Sequence, residues 1–429
     1  MRVLHLSTSD IAGGAARSAM RLHEGLLALG VESNMLVARK TSAFAEVQSI
    51  RPARRRFWDF LERRIIARNR TDVSNTHFTF GEPGVDISSH PLVRAADVLH
   101  LHWITHFLSP GSLATLAALG KPIVWTLHDM RPLTGGCHFS AGCEEFTRDC
   151  APCLQLRRDP HRTASRSLAD QRAVVADISV VAPSRWLADC ARRSSMFAGN
   201  RVEVIPYGIN TAEFFPMPRA EAREQLGLPA ECPLILFGAD VASDRRKGAA
   251  ELVAAVHRVP GSPKLMCFGK LKGRFAELGD RVIPLGYLRS ASELRAAYSA
   301  ANVFALPSLE DNLPNTLIEA LACGTPVAAF DVGGIPDILA DGVNGRLAAA
   351  GDTAALAAAL AELLGAPGLA NTLGTAGAKS VATHHTLRAQ AEKYAALYPA
   401  VTPPQTPTVR RSQLRSVLPR LILQALTPS

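Results

Sequence analysis

The stretch that most limits what this chain can fold into is Pro307–Phe330, PSLEDNLPNTLIEALACGTPVAAF. A strand, VFAL, runs into a short polar loop with Asp311, Asn312 and Pro314, and a helix starts at about Asn315 with Glu319 one turn inside it. A helix N-terminus offers unpaired N–H groups and about half a positive charge, which suits a diphosphate. Asp311 precedes that terminus and Glu319 follows Asn315 by four residues, so both carboxylates can border one crevice at the carboxyl edge of a parallel sheet. One could hold sugar hydroxyls and the other a ribose. Taken as a lone pair, two such acids more often do no more than cap and solubilise a surface helix.

The 429 residues suffice for two domains, and 47% apolar, 20% charged and 6% aromatic residues describe a packed α/β chain, not a disordered one. No run approaches the roughly 18 apolar residues of a membrane span, and MRVLHLS leads into polar residues, so a cytoplasmic chain is expected. The charge of +9 is local: residues 51–70 carry +6 and residues 402–429 carry +4, leaving −1 for the remainder. That excludes a uniformly basic nucleic-acid binder and leaves two patches for an anionic surface.

Arg2–Ser7, a Gly13-Gly14 loop and a helix from about Ala15 to Leu29 open the chain as strand, glycine loop and helix. Buried-strand patterns recur at 32–38, 97–102, 122–127 and 178–182, and after the proline-punctuated 202–218 at 234–238, 264–269, 282–285, 303–306 and 327–330. Helical patterns alternate with them, which predicts an α/β fold of two doubly wound, Rossmann-like parallel-sheet domains. The expected bounds are 1–205, 206–385, a helical 386–401 that can pack back on the first domain, and a proline-broken basic tail, 402–429.

The string Asp311-x₇-Glu319, with Ala320, Cys323-Gly324-Thr325-Pro326-Val327 and Gly333-Gly334-Ile335-Pro336, resembles the acid-x₇-acid signature of retaining GT-B glycosyltransferases of family four. Pro183-Ser184 and Ile205-Pro206-Tyr207-Gly208-Ile209-Asn210 resemble further family segments, and the likeness spans most of residues 1–385. It implies two domains facing a central cleft and transfer of a sugar from a UDP- or GDP-linked donor to a glycan or lipid-linked acceptor. Glu319 would bind the nucleotide ribose and Asp311 the donor sugar. The usual Gly-Phe-Gly is replaced by Asn312-Leu313-Pro314, and the first acid is an Asp beside Glu310.

Arg245-Arg246-Lys247-Gly248 resembles the family's Lys-Gly, making Lys247 the phosphate cation, with Arg245 or Arg246 standing in for an Arg that the sequence lacks after the preceding strand. The donor-binding set implied is Gly13, Gly14, Arg246, Lys247, Asn312, Asn315, Thr316 and Glu319. The catalytic set is His128, Asp311 and Lys247, His128 matching the family histidine that faces the donor sugar. Asp-x-Asp occurs nowhere in the chain, so no cofactor is expected for catalysis.

Cys137, Cys143, Cys150 and Cys153 suit one tetrahedral structural zinc, and buried free thiols in an acceptor-side loop are the alternative. A similar cysteine insert after His-Asp occurs in exopolysaccharide glycosyltransferases of the colanic-acid type. Arg54–Arg70 spaces Phe57, Trp58, Leu61 and Ile65 helically among arginines, either to lie on an anionic bilayer at the inner face of a membrane or to pack on its own sheet. A non-catalytic, zinc-stabilised nucleotide-sugar-binding or scaffold protein of the same fold is the rival from another class.

Overall fold

The computed structural model describes residues 1–401 and 403, apart from 51–54, 75, 82, 160, 176–177, 242–243 and 271–273. The chain divides into one unit of Met1–Pro206 with the segment from Gln390, and a second of Tyr207–Ala389.

The first unit holds seven strands: β1 (Arg2–Ser9), β2 (Glu32–Arg39), β3 (Val47–Ser49), β4 (Val98–Leu101), β5 (Ile123–Thr126), β6 (Ser179–Ala182) and β7 (Val202–Val204). All pairings are parallel, in the order β3-β2-β1-β4-β5-β6-β7. Strands β4, β5 and β6 are buried at every position, as a sheet covered by helices on both faces requires. The order reverses between β1 and β4, so the loops leaving those strands diverge and open a crevice at their carboxyl ends.

The second unit repeats the plan with β8 (Leu234–Val241), β9 (Lys264–Lys270), β10 (Val282–Gly286), β11 (Val303–Leu306), β12 (Val327–Phe330) and β13 (Gly345–Ala348). Its parallel order is β10-β9-β8-β11-β12-β13, and the reversal lies between β8 and β11. The doubly wound expectation therefore holds for both units. Strands β3 and β13 and the helix Pro367–His384 are additions to the sequence reading.

The helix Leu387–Leu397 and the turn after it complete the first unit. Ala391, Tyr394, Leu397, Tyr398 and Val401 share a buried cluster with Val3, Leu22, Leu26, Val98 and Val124. Tyr394 and Tyr398 meet Thr126 Oγ1 at 2.7 Å and His100 Nδ1 at 2.9 Å through their hydroxyls. The basic helix is Arg55–Arg68. Ile66 joins the first unit's core and Glu62 Oε1 accepts from Phe80 N at 2.5 Å, while Phe60, Arg63 and Arg64 are exposed. Arg54, the side chains of Phe57, Trp58 and Leu61, and the basic tail lie outside the described residues. Among the described residues no single helix is long and apolar enough to cross a membrane.

Candidate active site

In the second unit three loops meet where the strand order reverses. After β8 the turn Arg245–Lys247 ends at Gly248, whose φ is +69° and where a Cβ would stand 1.7 Å from Pro307 O. Only glycine lets this loop lie on the one following β11. Leu309 N donates to Arg246 O at 2.7 Å, fixing the two loops in register. Gly333, after β12, has φ +57° with a Cβ position 1.7 Å from Asp311 O, and Gly334 N donates to that oxygen at 3.3 Å.

These close approaches place Lys247 Nζ 2.5 Å from Asp311 Oδ2, with Arg246 Nη1 at 3.2 Å and Ser308 Oγ at 3.3 Å from the same oxygen. Arg246 Nε is 3.1 Å from Asp244 Oδ2, while Arg245 is exposed, so Arg246 is the arginine drawn into the group. Burial pushes the Asp311 carboxyl upward, but Lys247 and Arg246 outweigh it and hold the group below its usual range. Burial and Arg246 likewise lower Lys247 against the pull of Asp311.

The helix Asn315–Ala322 begins beside this group with no side-chain cap and no acid in its first turn. Asn312 is buried, Asn315 and Thr316 half-buried. Glu319 is 2% exposed and its Oε2 accepts from the Tyr298 hydroxyl at 3.0 Å. With Asp311 at 7% and Glu319 at 2%, neither acid solubilises a surface helix.

In the first unit, Gly13 at φ +92° caps the helix Gly14–Ala28, so both glycines stand at the carboxyl end of β1. Buried Asp10 ties that loop to the next by accepting from Ile11 N at 2.9 Å, Thr41 N at 2.8 Å and Ser42 N at 2.7 Å. His128 follows β5, with Nε2 3.0 Å from His102 Nδ1, and burial pushes its pKa down to about 4, against an upward pull from Asp129. Asp129 Oδ2 accepts from Trp103 Nε1 at 2.8 Å and lies 2.7 Å from His138 Nδ1, while Oδ1 accepts from Arg131 N at 2.9 Å. Beside these groups is a small pocket lined by His102, Trp103, His128, Asp129, Arg131 and Gln171. The Asp129–His138 pair was missed in the sequence. Its only trace was a histidine next to the first insert cysteine.

Cys137, Cys143, Cys150 and Cys153 line a separate small pocket, and Gly135 N donates to Cys150 Sγ at 3.3 Å. Burial raises three of the thiols, Cys150 to about 12, Cys153 to about 11 and Cys137 further. Among the described residues no three of the four sulfurs lie within 4.8 Å of one another. Tetrahedral zinc at about 2.3 Å from each sulfur needs them roughly 3.8 Å apart, so zinc would have to draw them inward.

Two doubly wound parallel sheets, each with its crevice at a strand-order reversal, form the GT-B glycosyltransferase fold, and solved structures share it. Sucrose-phosphate synthase from Thermosynechococcus elongatus superposes with a TM-score of 0.67 at 23% identity, over 93% of this chain and 99% of that one. HepE of Anabaena in complex with UDP-glucose gives 0.64 at 16% identity, over 94% and 100%. Family models described as Glycosyltransferase Family 4 and Glycosyl transferases group 1 match residues 12–213 and 232–366. Alpha-maltose-1-phosphate synthase of Mycolicibacterium smegmatis is 31% identical over 315 residues, 66% of this chain and 74% of that protein. A D-inositol 3-phosphate glycosyltransferase of Thermobispora bispora is 30% identical over 327 residues, 70% of each. The chain belongs to glycosyltransferase family 4 and is an enzyme of that class.

Proposed function

We propose that the enzyme moves a sugar from a nucleotide diphosphate sugar, with UDP or GDP as the carrier, to a glycan or lipid-linked acceptor in surface polysaccharide synthesis, with retention of configuration. The observation that carries the donor half is the Lys247–Asp311–Arg246 group at the β8/β11 reversal, beside an uncapped helix start and above buried Glu319. Lys247 and Arg246 meet the diphosphate charge, joined by N–H groups around Asn312, Asn315 and Thr316, while Asp311 takes sugar hydroxyls and Glu319 the ribose. Charge grows on the leaving phosphate in the transition state, where the Lys247 cation is worth most.

On the first unit, Gly13, Gly14 and His128 contribute at the carboxyl ends of β1 and β5, and the pocket beside His128 sets Trp103 among polar groups, a mix that suits an acceptor sugar. The solved HepE complexes with UDP and with UDP-glucose are consistent with a uridine carrier. The polysaccharide role rests on the likeness of the cysteine insert to colanic-acid-type enzymes, and a cytoplasmic place at the inner membrane face on the basic helix and tail.

Calorimetric titration with a panel of UDP- and GDP-sugars, paired with transfer assays, tests the reading. Glu319→Ala loses a charged hydrogen bond to ribose, about 1.5–3 kcal/mol, and raises the donor Kd some ten- to a hundred-fold. Unchanged donor affinity and turnover in that variant would overturn the site. Donor binding without turnover in the wild type would favour a scaffold.

A further inference from the structure

The cysteine insert reaches the pocket on the first unit through one side chain. Phe78 and Cys137 form an antiparallel bridge, Thr79 N donates to Gly136 O at 2.9 Å, and His138 N donates to His77 O at 3.2 Å. A Cβ on Gly136 would stand 2.3 Å from Phe78 Cε1, so any larger residue there would drive into that ring. His138 is thus held at its N–H by His77 and at its carbonyl by Met130 N, 2.9 Å away, and it is 3% exposed.

The His138 ring closes a buried polar network that ends on Trp103. Its Nδ1 lies 2.7 Å from Asp129 Oδ2 and its Nε2 3.0 Å from Thr79 Oγ1. Asp129 accepts from Arg131 N at Oδ1 and from Trp103 Nε1 at Oδ2. Burial pushes the Asp129 carboxyl upward, but His138, Arg131 N and Trp103 outweigh it and hold the group below its usual range. An ionised carboxylate only accepts, so His138 carries a hydrogen on Nδ1.

Trp103 follows β4, is half-buried and lines the pocket beside His128. Its carbonyl accepts from Thr8 N at 2.8 Å, and its ring centroid stands 5.6 Å from that of His138. The N–H is the one polar group of an indole, and Asp129 takes it, so what Trp103 offers the pocket is ring surface. A fixed aromatic face among polar groups fits a pyranose, whose C–H face covers the ring while its hydroxyls meet the polar neighbours.

We infer that Trp103 is the stacking platform for a pyranose of the acceptor, and that Asp129 and His138 are positioning residues through which the cysteine insert holds that platform in place. The inference rests on the reading of this pocket as the acceptor site, and it gives the insert a task in acceptor recognition.

A ¹H–¹⁵N correlation spectrum of the full chain shows the indole N–H signals of the four tryptophans, with Trp103 assigned by the loss of its signal in Trp103→Phe. Titration with the methyl glycosides of glucose, galactose and mannose should move the Trp103 signal saturably. In His138→Leu that signal shifts and exchanges faster with water, and glycoside affinity falls about tenfold, the cost of ordering a loosened side chain on binding. His138→Asn returns an N–H donor near the Nδ1 position and restores both. An unchanged Trp103 signal and affinity in His138→Leu, or His138→Asn as impaired as His138→Leu, would overturn the positioning roles while the acceptor reading stands. A Trp103 signal that no glycoside moves in the wild type would sink the acceptor reading of the pocket and the inference with it. If His138→Leu fails to fold, Thr79→Val, which takes away the partner of Nε2, must shift the Trp103 signal and weaken glycoside binding; no change in either overturns the inference.

Discussion

Replacing Lys247 by Met keeps the aliphatic stem and removes the ammonium that stands 2.5 Å from Asp311 Oδ2. The Asp311 side chain is 9% exposed, so the carboxylate cannot turn to bulk water for compensation. Stripping one partner from a fully buried pair costs about 3–5 kcal/mol. Here Arg246 Nη1 and Ser308 Oγ still reach the same oxygen, which lowers the expected loss to about 2 kcal/mol. For a unit of this size that is a fall in Tm of about 4–8 °C at pH 7. Because its folded pKa is depressed, Asp311 contributes stability above its unfolded pKa of about 3.9, and that contribution is lost as pH falls through the folded value. The gap between wild type and variant should therefore narrow once pH falls below the unfolded value of about 3.9 and close as it passes through the depressed folded one. Lys247→Met/Asp311→Asn should recover part of the loss, since both charges leave together. Thermal and urea melts of the wild type and the two variants at pH 7 and pH 3, run beside transfer assays, measure all of this. Equal stability of Lys247→Met and wild type at pH 7, or a deficit that persists unchanged at pH 3, would refute the ion-pair reasoning.

Gly333→Ala puts a Cβ 1.7 Å from Asp311 O in a left-handed backbone, and should cost about 3 kcal/mol or more together with donor binding; a variant that melts and binds like the wild type would show the loop to be slack. Activity should survive brief exposure to excess chelator, because the proposed site meets the diphosphate with the cations of Lys247 and Arg246; complete loss restored by magnesium or manganese alone would count against that. If the cysteine insert closes on a structural zinc, elemental analysis of protein purified without added metal gives close to one zinc per chain. No zinc, with all four thiols titratable in the folded protein, rejects it.

Sheet strands such as β4, β5 and β11 were legible because every residue in them is buried, so they read as apolar runs in which only His100 and Thr126 are polar. Strand β3 has three residues, two of them exposed, and β13 follows a turn-rich stretch, so neither writes a pattern. The helix Pro367–His384 was hidden by its glycines, which read as breakers but serve packing. A Cβ on Gly374 would lie 2.1 Å from Gly324 O, and one on Gly377 would lie 2.7 Å from Leu321 Cδ2. At the site, Asp311 and Glu319 were legible as one string. The Lys247–Asp311 pair spans 64 positions and depends on β8 lying next to β11, which strand order decides and local pattern does not record. The His102–His128 contact likewise needs β4 and β5 side by side before two scattered histidines become neighbours.

The return of Tyr394, Leu397, Tyr398 and Val401 to the first sheet also sets the order in which the nascent protein can mature. The second unit is continuous in sequence and can close as soon as its last residues leave the ribosome. The first unit, although begun earlier, lacks the side chains that cover Val3, Leu22, Leu26, Val98 and Val124 until about 195 further residues have been made after Pro206. At roughly 5–20 residues per second that apolar face stays bare for about 10–40 s, long enough for a chaperone or another chain to find it.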